Sequence, residues 1–597
     1  MATPPRVIQL TPHPWEDSED PLNAHIRRLA AALAAKGARV LVAGPSRDPA
    51  RLDRDRRALA EGRLNFGQRF VALVEAPLEG GPLGPLPAGA GGELCERLLS
   101  QLRPDLLHLH DPYPTTLGAA ALRRSAVITV ATFHAAASHH RPTLPGRAGE
   151  GLFARLDGVI TPLRCLGASY GHGLAAPLAT IDPATPLWPL PAQPGLREQL
   201  LYPGGEGRTA ARLVLRAWRR LELDGGWRLV AIGEQPIPRR PLPAPLIRLA
   251  GGQKRAEREA TRSAIVVVCG PSGVVAALAA LRAGATVVAP SLPIYRELLD
   301  GGRRGLLYLP ADPADLALQL QRAHDNPALR AELGLRAAQF GSTLGWERSA
   351  EAHLDFYGRL LARRRRPPGP APQAERFDVD LHMHTNHSYD CATPVEALLE
   401  SARAAGLGAV AVTDHNEISG ALAARDLADR YGVEVIVGEE VKTAGEGEVI
   451  GLFLERRIPP GLTLSQTIAE IKAQGGVVYV PHPFDRLHSV PDYRYLLPVL
   501  EQVDALEVYN ARVAIAAYNA EAVRFAAKYR LPAGAGSDAH VPQGLGSVRV
   551  RMARFDGPQQ FLRSLAEAEI IARPKSLLYV QALKFLQTRT PLRELAR

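Results

Sequence analysis

Five short clusters in the last third of the chain carry the side-chain types that bind divalent cations. They are Asp380-Leu381-His382-Met383-His384, Thr413-Asp414-His415, Gly438-Glu439-Glu440, Pro481-His482-Pro483 and Gly536-Ser537-Asp538-Ala539-His540. His382 and His384 are two apart, so a strand over 379–384 turns both imidazoles to one face. Imidazoles and carboxylates gathered in one pocket accept manganese, iron, zinc or magnesium. A single His-x-His pair is commonly just packed or exposed. Five clusters together, each closing an apolar run, point to metal chemistry, because burying such groups unpaired is costly.

The elements that must position these groups can be read from periodicity. Apolar runs of strand character cover 378–384, 409–412, 434–437, 477–480, 505–508 and 533–536. Helical periodicity covers 394–405, 420–431, 464–474 and 515–529. This alternation predicts a distorted βα-barrel, a fold that collects side chains where strand C-termini converge.

The same alternation runs through the earlier part of the chain. Strands are expected over 6–10, 39–43, 105–110 and 126–133, with a helix over 21–36 stopped by Gly37. Further on, strands are expected over 227–232, 264–269 and 285–288, and helices over 210–221 and 274–283. The fold class is therefore α/β throughout, with two doubly wound lobes ahead of the barrel. The lobes are placed at 1–185 and 186–362, an Arg/Pro-rich linker (RRRRPPGPAPQAE) at 363–375, and the barrel domain at 376–597. The stretch after Pro574 has helical apolar spacing (Leu577, Val580, Leu583, Leu586) and is expected to pack on the barrel.

Bulk properties set the frame. The 597 residues are 46% hydrophobic and 22% charged, the profile of an ordinary globular chain. No uninterrupted apolar run reaches the ~18 residues of a transmembrane helix, and the N-terminus lacks the order of a signal peptide. Cys95, Cys165, Cys269 and Cys391 lack metal-type spacing, so a reducing, cytoplasmic setting is expected. The net charge of +10 favours anionic ligands such as phosphates. There is no zinc finger or aromatic-interleaved basic motif, hence no strong nucleic-acid signal.

The order of DLHMH, TDH, Gly438-x-Glu440, HP and GSDAH, with the flanking GEVIGLF and QGGVV, resembles the polymerase and histidinol phosphatase (PHP) superfamily over 377–575. The resemblance implies up to three divalent metals (Mn, Zn, Fe or Mg) held by His382, His384, Asp390, His415, Glu440, His482, Asp538 and His540. His387 is the alternative to Asp390 in their shared loop, and Glu440 is preferred to Glu439 because it lies two after Gly438. Asp414 is expected to orient a histidine. The implied reaction is metal-dependent hydrolysis of a phosphate ester, in a phosphorylated small molecule or nucleotide. Asp538 and His540 are the candidates to protonate the leaving oxygen. Arg486 and Arg512 could hold non-bridging oxygens, or form surface salt bridges instead. His488, Glu507 and Asn510 lie near the motifs without an assigned role.

The two lobes resemble family 4 glycosyltransferases of the two-lobed GT-B type. The residues that carry this are LHLHDP at 107–112, ATFH at 131–134, RAGATVV at 282–288 and GWE at 345–347. A sugar or nucleotide partner is implied there. The sequence departs from the family where donor phosphates are held. Asp20 and Pro21 replace paired glycines, Thr209 and Ala210 replace a Lys-Gly pair, and Pro271 and Ala279 replace two glutamates. Arg208 could supply the lost lysine charge. Gly270-Pro271-Ser272-Gly273 could cradle an anion or form a plain turn, and His134 could act on an acceptor or be structural. The expectation is a phosphoesterase with a binding or degenerate glycosyltransferase-like region. The alternatives are a bifunctional protein with an active nucleotide-sugar-dependent transferase, and a non-catalytic scaffold.

Overall fold

The computed structural model describes residues 4–17, 20–76, 90–112, 117–134, 152–170, 176–184, 198–233, 241–366, 368–485, 491–573, 576, 578 and 583–584. It divides into two compact units, Met1–Leu361 and Ala362–Arg597.

In the first unit, Arg6–Leu10 is central to a parallel sheet. Arg39–Ser46 and Phe70–Glu75 lie on one side of it, and Leu106–His110, Ile128–Thr132, Gly158–Thr161 and Leu178–Thr180 on the other. The order reverses at the first strand, which is the doubly wound arrangement. A second parallel sheet repeats it, with Gln199–Tyr202 flanked by Arg228–Ile232 and Leu246–Leu249 on one side and by Ile265–Val267, Thr286–Pro290 and Gly305–Tyr308 on the other. The helix Pro21–Ala35 shows why these residues take this form. Asp20 caps it by accepting from Asn23 N, Pro21 fits its first turn, and Leu22, Ile26, Leu29 and Leu33 bury one face. Each such buried leucine or isoleucine contributes roughly 1.5–3 kcal/mol.

The second unit is built on a nine-stranded sheet. Arg376–Met383, Ala409–Val412 and Glu434–Lys442 run parallel, as do Val477–Val480, Ala505–Asn510 and Ala533–Gly536. Between these groups Glu448–Leu452 runs antiparallel to both neighbours. Val548–Ala553 and Glu569–Ala572 extend the far edge in antiparallel pairing. The sheet nearly closes on itself, because Met383 bridges Ala539, Asp538 N donates to His382 O at 2.8 Å, and His384 N donates to Ala539 O at 3.1 Å. Val379, Leu381, Ala411, Ile450, Tyr479 and Val550 fill its apolar interior.

All six strands expected from periodicity in this unit are present. The hairpin into Glu448–Leu452 is additional, turned by Gly445 and Gly447 at φ 88° and 103°. The start of the expected linker lies against the second unit itself. Arg363 and Arg364 donate to Leu497 O and Lys528 O, and Arg365 pairs with Asp504 at 3.1 Å. Arg486, His488, Leu577, Val580 and Leu586 fall outside the described residues. No helix among the described residues is long and apolar enough to cross a membrane.

Candidate metal centre

The strand ends of the second unit deliver their polar groups to one pocket. Glu440, near the end of Glu434–Lys442, is its hub. Its Oε2 lies 3.3 Å from His382 Nε2, 3.5 Å from His384 Nε2 and 3.1 Å from His415 Nδ1, and its Oε1 lies 3.2 Å from His482 Nε2. Asp538 Oδ1 faces His384 Nε2 at 3.3 Å and His540 Nδ1 at 3.4 Å. Asp390 Oδ2 lies 2.9 Å from His540 Nε2, and its Oδ1 lies 3.8 Å from His415 Nε2. All eight residues read as ligands from the sequence thus stand in one network.

Local structure explains the convergence. His382 and His384 share a face of the strand Arg376–Met383 and its end. Behind them Asp380 is fully buried and accepts from Ser537 N and Gly546 N, both at 2.9 Å, tying the first strand to the 536–540 loop. Burial pushes its carboxyl up to about 6. His482 and Asp538 adopt φ of 25° and 49°, a left-handed backbone that is costly outside glycine, by roughly 1–3 kcal/mol each. Such strain aims the two side chains inward.

Glu507 and Asn510, left without a role in the sequence, and Lys584, not singled out there, join the site. Glu507 accepts from His482 N at 2.7 Å and faces His382 Nδ1 at 3.2 Å. Asn510 donates to Glu507 at 3.0 Å and to Asp538 at 3.3 Å. The Lys584 ammonium lies 2.9 Å from Asp390 Oδ2. Arg512 pairs with Asp538 at 3.1 Å and lies 2.9 Å from His540 Nδ1, so it belongs to the pocket rather than to a surface salt bridge. His387 is exposed and faces Ser419, which leaves Asp390 as the loop's contribution. Glu439 turns to Ile458 N at 2.8 Å. Asp414 binds Thr385 N and Oγ1 at 2.6 and 2.7 Å, so it fixes the loop after His384 rather than a histidine ring.

The electrostatics are those of a compact polar cluster. Burial opposes charge on His382, yet Asp538, Glu507 and Glu440 raise its pKa well above the usual value. Burial likewise opposes charge on Asp538, and Arg512, His382, His384 and His540 hold it well below the carboxylate range. His384 is pushed down to about 3 by burial and by His540 and His415. Its Nδ1 is buried without a hydrogen-bond partner among the described residues. Three sets place their donor atoms within 4.8 Å of one another: His384, His415 and His540; His382, His384 and Asp538; His382, Glu440 and His482. Nitrogen and oxygen donors at this spacing, with an orphaned buried ring nitrogen, fit divalent cations.

In the first unit the places named for donor phosphates hold carboxylates. Asp20 sits at the start of the helix Pro21–Ala35, accepting from Asn23 N at 2.7 Å and facing His13 Nδ1 at 2.8 Å. The Glu206 carboxylate accepts from Gly270 N at 2.5 Å and Cys269 N at 2.9 Å, filling the cradle of 270–273. Burial pushes Glu206 up to about 7. Arg208 lines a neighbouring cavity of about 390 Å³ with Tyr202, Gly205, Gly207, Ser272 and Gly273.

Comparison with known proteins follows the same division. Glycosyltransferase Family 4 matches residues 22–173, the PHP domain family matches 380–528, and the PHP-associated family matches 516–570. The uncharacterized protein MJ1587 of Methanocaldococcus jannaschii is 38% identical over 144 residues, 22% of this chain and 81% of its own length. A 5'-3' exoribonuclease of Haemophilus influenzae is 32% identical over 124 residues, 19% of this chain and 45% of its own. Sucrose-phosphate synthase from Thermosynechococcus elongatus aligns with 60% of this chain and 99% of its own, at 17% identity and a TM-score of 0.43.

Proposed function

Because the chain belongs to the PHP family in its second unit and carries a glycosyltransferase family 4 region in its first, we propose that the second unit hydrolyses a phosphate ester with divalent cations. The observation that carries this reading is the meeting of His382, His384, Asp390, His415, Glu440, His482, Asp538 and His540 in one network, buried except at His415 and Asp390. These residues would hold the ions. Bound ions acidify water and neutralise phosphate oxygens.

The chain's own side chains do the rest. Glu507 fixes His382 and the backbone of His482, and Asn510 locks Glu507 to Asp538. Arg512, at the half-buried rim, has further N–H donors for non-bridging phosphate oxygens. Of the two proton-transfer candidates, Asp538 is held ionised beside Arg512 and carries no proton to pass, which leaves His540 for the leaving oxygen. Arg486 is the second candidate anchor. The substrate is a phosphorylated small molecule or a nucleotide.

The first unit is proposed to be a binding or degenerate region rather than an active transferase. The Asp20 carboxylate repels phosphate from one helix start, and the Glu206 carboxyl occupies the Cys269 and Gly270 N–H groups that would otherwise hold phosphate at the other. A cytoplasmic setting is proposed from the scattered spacing of Cys95, Cys165, Cys269 and Cys391.

The test uses the full-length chain, stripped of metal and reloaded with manganese or zinc, against a panel of phosphomonoesters and nucleotides. Metal-dependent release of product, lost in His382→Ala, is expected. Absence of both bound metal and turnover would instead favour a scaffold. Transfer from a nucleotide sugar would revive the bifunctional reading.

A further inference from the structure

A second group of histidines lies in the first unit, remote in sequence from the PHP motifs. Five rings come together there. His25 is on the helix Pro21–Ala35, His108 and His110 are on the strand Leu106–His110, His134 follows the strand Ile128–Thr132, and His353 is on the helix Trp346–Ala362. Their centroids are 4.3 Å apart for His108 and His110, 5.2 Å for His110 and His134, and 4.7 Å for His25 and His134.

The rings divide by what their nitrogens do. Both nitrogens of His108 are engaged, Nε2 with Thr132 Oγ1 and Nδ1 with Tyr357 OH, each at 2.7 Å. His353 Nδ1 is engaged with Ser349 O at 2.7 Å. His110 Nδ1 faces His134 Nε2 at 2.9 Å. By contrast, His25 Nε2 and His110 Nε2 are buried and have no hydrogen-bond partner among the described residues. Leaving such atoms unsatisfied costs about 1–3 kcal/mol each. One nitrogen from each of His25, His110 and His134 lies within 4.8 Å of the other two.

We propose that His25, His110 and His134 form a mononuclear site for an imidazole-preferring divalent cation, such as zinc or copper, separate from the centre in the second unit. Three neutral nitrogens without a carboxylate in the set select zinc, copper or nickel over magnesium, calcium or manganese. Three protein ligands leave a fourth position for water or another ligand. His108, stacked on His110 at an interplanar angle of 29° and anchored through Tyr357 and Thr132, holds that ring in place. Trp346, edge-on to His25 at 5.1 Å, restricts the other. The ion would pin the helix Pro21–Ala35 to the ends of two central strands.

The experiment removes the second unit's centre from the background. The full-length chain carrying His384→Ala, Glu440→Gln and His482→Ala, which breaks all three donor sets of that centre, is equilibrated with zinc, desalted and measured for bound metal. About one equivalent is expected to remain, and to be lost with at least tenfold weaker binding when His25→Ala and His110→Ala are added. His353→Gln, outside the ligand set, keeps it. Copper bound to the triple variant is examined in parallel by electron paramagnetic resonance, which needs no substitution within the histidine group. Hyperfine structure from imidazole nitrogens is the expected signature. No retained metal in the triple variant, retention after His25→Ala and His110→Ala in a chain that still folds, or a copper spectrum without nitrogen coupling would each overturn the proposal.

Discussion

Glu440 touches four imidazoles through two oxygens, and that sharing defines how the site is expected to fail. Glu440→Gln removes the charge that draws His382, His415 and His482 together, so metal occupancy and turnover should fall together in a metal-content assay paired with a phosphatase assay. Glu507→Gln is a gentler change, since Glu507 orients His382 and the backbone of His482. About a 10- to 100-fold loss of metal affinity is expected by competition with a chelating dye, the range found for residues that orient ligands. At Arg512, lysine keeps the charge but not the planar fork, so Arg512→Lys should raise KM for the phosphorylated substrate while metal content stays unchanged. Seven of the eight ligand candidates were legible because their residue types close apolar runs, whereas Asp390, in the 385–390 loop, came only from the family resemblance. Glu507 and Asn510 were not, for a physical reason. Three apart in one strand, they should face opposite sides, but the ladder to Ala533–Gly536 shifts register between Glu507 and Tyr509 and brings both to the pocket. Lys584 was invisible because its partner, Asp390, is 194 positions away.

Strand ends and helix starts carry the next level of the account. Gly536 ends the strand Ala533–Gly536 against the first strand, where an added Cβ would lie 2.4 Å from His382 Cβ and 2.7 Å from Glu507 Oε1. Gly536→Ala should therefore cost about 1–3 kcal/mol in denaturant titration and loosen metal binding at the same time. In the first unit, Glu206 occupies the start of a helical segment and its carboxyl sits at about 7 against an ordinary 4.5. The folded state therefore keeps a proton that the unfolded chain releases as pH rises from 4.5 to 7. Stability from this group is greatest below that interval, is lost as pH rises through it, and is flat above it. Thermal melts of Glu206→Gln should lack this decline. Periodicity located six strands and four helices of the second unit, since burial of one face repeats at 2 or 3.6 residues, but in the first unit it missed Gly158–Thr161, Gln199–Tyr202, Gly305–Tyr308 and most of the helices. It did not reveal Glu448–Leu452, whose antiparallel pairing depends on the turn of Gly445 and Gly447, nor the edge strands Phe70–Glu75 and Leu178–Thr180.

Two units of different fold share one chain. Parallel doubly wound sheets carry the first, and a nearly closed mixed sheet carries the second. The order of strands in space was implied by the alternation of elements but could not be read from it, because pairing is set by contacts between distant segments. The linker composition was plain in the sequence, whereas the seating of Arg365 on Asp504 required the folded second unit. Ligand binding to the native state alone stabilises it, so chelation should lower the melting temperature of the second unit, and manganese should restore it. The central claim is that distant imidazoles and carboxylates of that unit hold cations together. Anomalous X-ray scattering from crystals of the full-length protein loaded with manganese or zinc tests it most directly. The account predicts peaks among His382, His415, Glu440, His482 and Asp538. Ordered side chains at these positions with no anomalous density between them would contradict it.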